Sequence, residues 1–464
     1  MSADLKVAVV GHTNTGKTSL LRTLARDEYF GKVSDEPATT RHVEGMQLLL
    51  SDGEPIMLLF DTPGLEDPAG VLDALDHLSS GGRFDGPERI RRFLESAEAQ
   101  LRYEQEAKVL RQMLQSDAAI YVIDSREPLL GKYREELTIL TYCAIPLLPV
   151  LNFIAGQGSR EVEWREQLAR VNLHAVVAFD SVVFDEAGER RLFEKLRTLL
   201  DRHAGSLARL VEDRRRQGQW LRRAAAEQTA ELLIDAAACL RVVPAELDAG
   251  AVRALTLGYQ DEAREREQRC VDGLLELFRF SRRHYADDGF PLVNGAWGTD
   301  LFSPEALRHH GLRAGGGAVA GAAAGAAIDA ATLGTSLGLA AAGGATLGAL
   351  LGTSIPLRER LWARLRGRAE WRISDATLRL MALRQLALIR ALLRRGHAAQ
   401  EPVAAGTAKD GDWSGGQLPR PLREARLNPR WSRLNGSLFD ATRADRHTAV
   451  QRLTEHLVKS METS

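Results

Sequence analysis

The chain has 464 residues, of which 44% are hydrophobic and 27% charged, with a formal net charge of −1. This length predicts two or three domains, and the globular composition argues against wholesale disorder. A net charge near zero excludes the whole molecule as a general polyanion binder, so nucleic-acid or lipid affinity requires a local patch. The three cysteines are far apart and show no metal-ligand or disulfide pattern, as expected in a reduced, cytoplasmic setting.

The first 205 residues alternate short apolar runs with amphipathic stretches, which predicts an α/β domain with a mostly parallel sheet. Strands are predicted at Lys6–Val10, Met46–Leu50, Ile56–Phe60, Ala118–Ile123, Leu147–Leu151 and Ala175–Ala178. Helices are predicted to begin near Lys17, Glu88, Lys132, Glu161 and Glu189. The segment 65–116 is longer than a usual connection and carries apolar residues at helical spacing, so we predict a helical insertion there.

The first strand leads into Gly11-His-Thr-Asn-Thr-Gly16-Lys17-Thr18, which matches the phosphate-loop pattern G-x-x-x-x-G-K-[ST]. The motif stands between a strand and a helix, where backbone N–H groups and the helix N-terminus bind phosphate. We expect Lys17 to reach the β- and γ-phosphates, Thr18 to ligate Mg²⁺ and Ser19 to donate to the α-phosphate. The predicted nucleotide-binding loop also includes Gly11, Asn14, Thr15 and Gly16. The alternative, a glycine-rich turn without a ligand, does not explain the flanking strand and helix.

A second motif, Asp61-Thr-Pro-Gly64, directly follows the predicted strand Ile56–Phe60. An acidic residue at the end of this strand would position Mg²⁺ through a water, and the Gly64 N–H would meet the γ-phosphate. An ordinary Pro-Gly turn is the alternative interpretation.

Between the two motifs lies the segment Pro37–Arg41, which contains Thr40. Thr40 is predicted to close over the γ-phosphate and to complete the Mg²⁺ shell, whereas a plain polar loop is the alternative. The predicted catalytic residues are therefore Lys17, Thr40, Asp61 and Gly64, and the predicted Mg²⁺ ligands are Thr18, Thr40 and Asp61.

These three motifs resemble the Era/TrmE-like branch of P-loop GTPases over about residues 5–200. The wider chain resembles a bacterial family that joins such a domain to a C-terminal domain of unknown function. The shared stretches are DGPERIRRFL, EAKVLRQMLQSDAAIYVIDSREP, GKYREEL and LPVLNF. The resemblance implies a Ras/Era-like GTPase fold and hydrolysis of GTP to GDP and phosphate with Mg²⁺.

In this branch, an asparagine at the position of Asn14 helps to bind K⁺, which supplies charge stabilisation otherwise provided by an arginine. The alternative is that Asn14 only stabilises the loop through hydrogen bonds. Leu65 stands where Ras-like enzymes carry a water-orienting glutamine. Hydrolysis is therefore expected to be slow unless K⁺, a homodimer through the GTPase domain or an unknown protein partner completes the site.

The base-recognition pattern N-K-x-D is only partly present, because the strand Leu147–Leu151 is followed by Asn152-Phe153-Ile-Ala155. Asn152 matches the pattern, and Phe153 is predicted to stack on the base in place of the lysine stem. Ala155 lacks the carboxylate that reads guanine, and Asp180 in the next loop is a candidate substitute. Guanine specificity thus follows from the resemblance alone, and ATP remains an alternative.

The remainder of the chain is predicted to be mainly helical, with regions at 206–312, 313–356 and 357–464. In the Gly/Ala-rich segment 314–355, small residues recur every four positions between basic flanks, which predicts a membrane hairpin with both ends in the cytoplasm. This interpretation places the protein at the cytoplasmic face of the inner membrane. A soluble, closely packed hairpin is the alternative, and the central Asp329 favours it.

The segment 356–395 contains eleven arginines against three acidic residues. We first expect these arginines to pair with the acidic helices predicted at 206–285, then to bind lipid headgroups, and last to bind RNA. Three functions follow for the chain: a membrane-associated GTP-controlled switch, a factor associated with RNA, the ribosome or tRNA modification, and a non-catalytic nucleotide-gated scaffold.

Overall fold

The computed structural model describes residues 5–25, 43–80, 82–154, 158–180, 186–244, 247–278, 292–293, 295–309, 312, 368–394, 413, 417–440 and 443–462. The predictions for Thr40 and for segment 314–355 lie outside these described residues and stay predictions. Among the described helices, none has the length and apolarity needed to cross a bilayer.

The chain divides into two compact units. Unit 1 comprises Met1–Gln219 with Leu393–Glu401, and unit 2 comprises Trp220–Leu392 with Pro402–Ser464.

Unit 1 is built on a six-stranded sheet. Its strands are β1 Leu5–Val10, β2 Glu44–Leu49, β3 Pro55–Asp61, β4 Ala118–Asp124, β5 Leu147–Asn152 and β6 Val177–Ala178. The strand order is β2-β3-β1-β4-β5-β6, with β2 antiparallel to β3 and every other pair of neighbours parallel. The predicted α/β fold class with a mostly parallel sheet is confirmed.

The helices of unit 1 cover both faces of this sheet. They are α1 Lys17–Ala25, α2 Pro68–Ser79, α3 Gly86–Glu95, α4 Ala97–Leu101, α5 Glu104–Leu114, α6 Gly131–Tyr142, α7 Glu161–Arg170, α8 Glu186–Leu199 and the start of α9 Ala204–Ala238. Alternate strand residues enter two separate cores: Ala8 and Val10 pack with α2, α5 and α6, whereas Val7 and Val9 pack with α1 and α8. All seven residues of β4 are buried, because both faces of a parallel sheet are covered. The segment 65–116 contributes α2 to α5.

Unit 2 is mainly helical, as predicted. Its elements are the rest of α9, β7 Arg241–Pro244, α10 Ala249–Leu277, β8 Leu292–Val293, β9 Ala296–Trp297, α11 Pro304–His309, β10 Arg368–Trp371, α12 Asp375–Arg394, α13 Arg420–Arg426 and α14 Ala444–Glu462. Residues of α9, α12 and α14 supply most of its apolar core. Unit 2 also contains short strands that the sequence analysis did not predict, of which β7 and β10 pair antiparallel. Each of these strands has only four residues, too few to show an alternating pattern in the sequence.

Two arginines of the 356–395 segment point into unit 2 instead of forming a solvated surface. Arg384 is 1% exposed and pairs with Glu267 of α10 at 3.3 Å. Arg379 is also buried and donates to the backbone carbonyl of Trp413. The first expectation for this segment, pairing with an acidic helix, is therefore met at Arg384, but in the interior of the unit.

Candidate nucleotide-binding site

The candidate site lies at the carboxyl ends of β1, β3, β4 and β5. Because β1 pairs in parallel with both β3 and β4, the loops that follow these three strands meet at one edge of the sheet. Ligands of open α/β sheets bind at this edge.

The phosphate loop follows β1 and ends in the first turn of α1. Gly11 has a φ of +143°, and a Cβ atom there would clash with the carbonyl oxygen of Val122 in β4, so only glycine fits. Asn14 is exposed in the left-handed conformation with a φ of 64°, which asparagine tolerates. The Thr15 hydroxyl donates to the His12 carbonyl at 3.0 Å. These residues give the loop the curved backbone that main-chain amides need in order to surround an anion.

Lys17 begins α1 and is only 7% exposed. Its Nζ donates to the carbonyl oxygens of Gly11 at 3.0 Å and His12 at 2.8 Å, which hold the ammonium against the loop. Burial lowers the pKa of Lys17, while the nearby Asp61 opposes this shift. A buried cation ringed by main-chain groups is suited to neutralising a polyphosphate. Ser19 follows within the same first turn of α1.

The two predicted Mg²⁺ ligands that the structure describes are in direct contact. Thr18 Oγ1 donates to Asp61 Oδ2 at 2.5 Å, and Asp61 is 1% exposed. Asp61 Oδ1 is buried and has no hydrogen-bond partner among the described residues. Burial raises the pKa of Asp61 to about 6, against the Thr18 hydrogen bond and the charge of Lys17. A hydroxyl beside a carboxylate with an unused oxygen fits the oxygen-donor preference of Mg²⁺, whose charge would also keep Asp61 ionised.

The Asp61–Gly64 motif lies directly against the phosphate loop. The Thr62 hydroxyl donates to the Val9 carbonyl at 2.7 Å, and His12 forms an isolated β-bridge with Leu65. A Cβ atom on Gly64 would stand 2.7 Å from the Thr13 backbone nitrogen, closer than real contacts allow. The segment can therefore approach the loop this closely only with glycine at this position.

Helix α6 places two ionisable side chains near the phosphate loop, and the sequence analysis did not assign either of them. Lys132 Nζ lies 2.9 Å from Nε2 of His12, and burial together with the charges of Lys132 and Lys17 lowers the pKa of His12 to about 4. His12 is thus neutral and accepts from the lysine. Glu136 is fully buried, accepts from the Tyr121 hydroxyl at 3.2 Å, and has its pKa raised to about 8 by burial. Both residues belong to GKYREEL, and their spacing of four places them on one helix face.

Helix α5 anchors the residues that follow Gly64. Glu106 is 4% exposed, and its Oε1 accepts from the backbone N–H groups of Glu66 and Asp67, each at 3.1 Å. Asp67 in turn caps α2 by accepting from the Gly70 N–H at 2.9 Å. Glu106 therefore links α5 to the residues that directly follow the Asp61–Gly64 motif.

The predicted base-binding residues lie at the end of β5. Asn152 Nδ2 donates to the Thr15 carbonyl at 2.9 Å, which ties this strand end to the phosphate loop. Phe153 has a φ of 57° and lies next to Arg126, a residue that the sequence analysis did not single out. Asp180 is 8% exposed and follows β6, which pairs in parallel with β5, so it lies at the same edge of the sheet. Ala155 lies outside the described residues.

The sheet order, the curled loop and the adjacent threonine and aspartate define unit 1 as a P-loop nucleotide-binding domain. Residues 6–153 match the family model described as 50S ribosome-binding GTPase, so this domain is of the GTPase class. Residues 165–455, more than half of the chain, match the model described as a domain of unknown function, DUF3482. The chain therefore belongs to the DUF3482 family. It combines a GTPase-class domain with a mainly helical unit.

Curated relatives are similar over short segments. GTPase Der of Symbiobacterium thermophilum is 39% identical over 75 residues, covering 16% of this chain and 15% of that protein. The tRNA modification GTPase MnmE of a Synechocystis species is 40% identical over 75 residues and 16% of each chain. GTPase Der of Bordetella petrii is 27% identical over 207 residues and 42% of each chain. The chain thus spans about a sixth of the first two relatives. The solved Aquifex aeolicus Era structure shares 18% identity over 38% of this chain and 50% of that one, with a TM-score of 0.27.

Proposed function

We propose that unit 1 binds GTP with Mg²⁺, hydrolyses it to GDP and phosphate, and uses the nucleotide state to control the helical insertion. The observation that carries this proposal is the proximity of Lys17, Thr18 and Asp61 at the carboxyl end of β1, together with the buried Asp61 Oδ1, which has no partner among the described residues. The GTPase family match of residues 6–153 supports guanine as the base.

In the proposed reaction, the loop amides and Lys17 bind the polyphosphate and stabilise the charge that develops on its oxygens. Thr18 and Asp61 would hold Mg²⁺, which would neutralise negative charge on the polyphosphate. The Gly64 N–H would donate to the γ-phosphate from its position against Thr13. Thr40 remains the predicted residue that closes over this phosphate.

The switch step would pass through Glu106. A γ-phosphate that attracts the Gly64 N–H would shift Glu66 and Asp67, whose N–H groups both donate to the Glu106 carboxylate. Because Glu106 belongs to α5 and Asp67 caps α2, such a shift would change how the insertion packs. Hydrolysis would reverse the change by removing the γ-phosphate.

The decisive test is phosphate release from GTP by the full chain, with Lys17→Ala as the site control. We expect Mg²⁺-dependent turnover that Lys17→Ala lowers by about a hundredfold or more, as loss of a preorganised charge does at such sites. GTP binding without any phosphate release would favour the scaffold function. Equal turnover by the wild-type chain and Lys17→Ala would contradict the proposed site.

Amide hydrogen exchange tests the switch step. With a non-hydrolysable GTP analogue in place of GDP, the protection of the Glu66 and Asp67 amides is expected to change. Glu106→Gln should abolish that difference while GTP binding stays within a few-fold of the wild type. The matched control is Glu104→Gln, because Glu104 lies on the same helix, its side chain is 62% exposed, and it pairs with Lys108 at the surface. An unchanged exchange response in Glu106→Gln would refute the route through α5.

Dependence on K⁺ is a separate part of the proposal and concerns Asn14. Its exposed position in the phosphate loop is compatible with binding a monovalent cation beside the phosphates. Turnover is expected to be at least several-fold faster in KCl than in NaCl, and Asn14→Ala should remove the difference. Equal rates in both salts would eliminate this part alone.

Ribosome association is a second candidate function, because the model that matches residues 6–153 is described as a 50S ribosome-binding GTPase. Salt-sensitive cosedimentation with ribosomes in the GTP state would support it. Membrane association through segment 314–355, with the protein at the cytoplasmic face, remains a prediction of the sequence. Flotation of the full chain with liposomes tests it, and a truncation of 314–355 is the control.

A further inference from the structure

Helix α13 has one face in the core of unit 2 and the opposite face in solvent. Leu422 and Ala425 are fully buried in the apolar core. Arg420, Arg423 and Leu427 are exposed, and their spacing of three and four residues places them on one side of the helix. Leu427 follows the last helical residue, keeps a right-handed helical conformation and is 55% exposed. The outer side of α13 thus combines two arginines with an exposed leucine.

The segment after α13 adds a further arginine and a further leucine. The Asp440 N–H donates to the Arg430 carbonyl at 3.0 Å, so the chain turns back on itself between these two residues. Arg430 is exposed, and Leu438, which stands just before Asp440, is 56% exposed. We call this set of exposed side chains the α13 surface: Arg420, Arg423, Leu427, Arg430 and Leu438.

The positive charge of the α13 surface is only partly compensated. Residues 417–440 contain five arginines against two acidic residues. Arg420 Nε donates to Glu424 Oε1 at 2.7 Å, whereas Arg423 Nη1 donates to the neutral side chain of Gln417 at 3.0 Å. The Arg430 side chain has no hydrogen bond or ion pair within the part of the chain that the structure describes. The surface therefore fits an anionic partner.

The exposed apolar side chains distinguish between two anionic partners, phospholipid headgroups and RNA. Single-stranded RNA is bound largely by stacking its bases on aromatic rings. In the described segment 417–440, Trp431 is buried, and Phe439 is partly buried beside Arg433 and Arg446. The exposed apolar groups are instead leucines, which enter the acyl boundary of a bilayer while neighbouring arginines bind the headgroup phosphates. This combination favours lipid over RNA.

We propose that the α13 surface docks unit 2 on a bilayer of anionic phospholipids, with its arginines at the headgroup phosphates and its leucines at the acyl boundary. This docking is independent of nucleotide binding and separate from the hairpin predicted at 314–355. A hairpin that crosses the hydrocarbon core needs no anionic headgroup, whereas the α13 surface does. Because salt screens exposed charges, docking weakens as the ionic strength rises.

Flotation of the full chain with vesicles at limiting lipid tests the proposal. At low ionic strength, we expect the chain to float with vesicles of equimolar phosphatidylcholine and phosphatidylglycerol, and far less with phosphatidylcholine alone. The double variant Arg423→Gln/Arg430→Gln should lower the partition coefficient about twenty-five-fold, at about fivefold for each arginine removed from an anionic surface. Leu427→Ser should lower it about three- to tenfold through loss of apolar contact.

The matched control is the double variant Arg91→Gln/Arg190→Gln. It removes the same charge from two arginines of unit 1, whose side chains are 60% and 55% exposed. Its flotation should equal that of the wild type. Thermal unfolding should be unchanged in every variant, because the substituted side chains lie at the surface. Loss of flotation then reports on the α13 surface and not on misfolding.

Three results would overturn the proposal. The first is equal flotation of the wild type and Arg423→Gln/Arg430→Gln. The second is equal flotation of the wild type with the two kinds of vesicle, which would indicate entry into the hydrocarbon core without headgroup recognition. The third is binding of polyuridylic acid by a wild-type chain that does not float, which would assign the surface to RNA. None of these results bears on GTP hydrolysis, so the proposed function is tested separately.

Discussion

Each unit contains a cluster of buried ionisable side chains. The two clusters differ in how completely their hydrogen bonds are satisfied. In unit 2, Asp235 is 0% exposed and accepts from Arg266 Nε at 2.8 Å, from Arg446 Nη2 at 3.0 Å and from the Arg433 N–H at 3.2 Å. Glu231 accepts two further hydrogen bonds from Arg446. We call these residues the Asp235 cluster.

The phosphate-loop cluster of unit 1 consists of Lys17, Asp61 and Glu136, all buried, and is less complete. Asp61 Oδ1 and Glu136 Oε1 have no hydrogen-bond partner in the part of the chain that the structure describes. Buried polar atoms are normally paired, and an unpaired one destabilises the folded chain unless a ligand pairs with it. The comparison therefore separates charges that stabilise a fold from charges arranged for a ligand.

The largest expected effect is on the stability of unit 2. Asp235→Asn removes the shared counterion of three arginines, and breaking a buried ion pair costs about 3–5 kcal/mol of unfolding free energy. Native-state hydrogen exchange of α9 and α10 measures this loss. Asp261→Asn is the matched control, because its pair with Arg264 is at the surface and is worth about 0–1 kcal/mol. Similar exchange in the two variants would mean that the Asp235 cluster does not stabilise the unit.

A smaller effect is expected at the phosphate loop, and on catalysis instead of stability. Gly64→Ala places a methyl group against the Thr13 backbone nitrogen and pushes the Asp61–Gly64 segment away from the loop. A displacement of about 1 Å at a reacting group lowers turnover by about a hundredfold. GTP hydrolysis at saturating substrate measures this change. Gly205→Ala is the control, since a Cβ atom there meets no neighbour within 4 Å. Wild-type turnover by Gly64→Ala would show that close approach of the two segments is not needed.

The sheet and the phosphate loop were predictable because their signals are local. Each of the six strands of the first sheet overlaps an apolar run of the sequence, and Gly11–Thr18 is one uninterrupted motif. Thr18 in the first turn of α1 and Asp61 at the end of β3 are hydrogen-bonded although 43 positions separate them, and both stand in local motifs that the sequence shows. Their common role as Mg²⁺ ligands stays a prediction.

The supporting residues were missed because no local pattern marks them. Glu106 lies 40 residues from Glu66, and Lys132 lies 120 residues from His12. A single charged residue on an amphipathic helix has the same sequence signature whether it faces solvent or enters a site. Arg126 follows β4 within VIDSREP, a stretch whose resemblance was noted, but only the fold brings it to Phe153.

The smallest expected effect concerns Glu136 of the phosphate-loop cluster. Its raised pKa makes the stability of the folded chain depend on pH. Burial raises the pKa of Glu136 from 4.5 to about 8, so the folded chain retains a proton that the unfolded chain releases. The stabilisation is complete below the unfolded pKa and declines as the pH rises through the folded pKa. Glu136→Gln mimics the protonated acid and should remove this decline.

Thermal unfolding of the two chains across about pH 5–9 measures the difference. At the acidic end they should be nearly equally stable, and at the alkaline end Glu136→Gln should be more stable by at least about 1 kcal/mol, the equivalent of one pKa unit. Glu135→Gln, in the same helix but partly exposed, should follow the wild type. A wild-type chain that gains stability over Glu136→Gln at alkaline pH would reverse the sign and show that an ionised Glu136 pairs with Lys17. A neutral Glu136, in contrast, does not compensate the positive charge of Lys17. That charge then stays available to bind the polyphosphate.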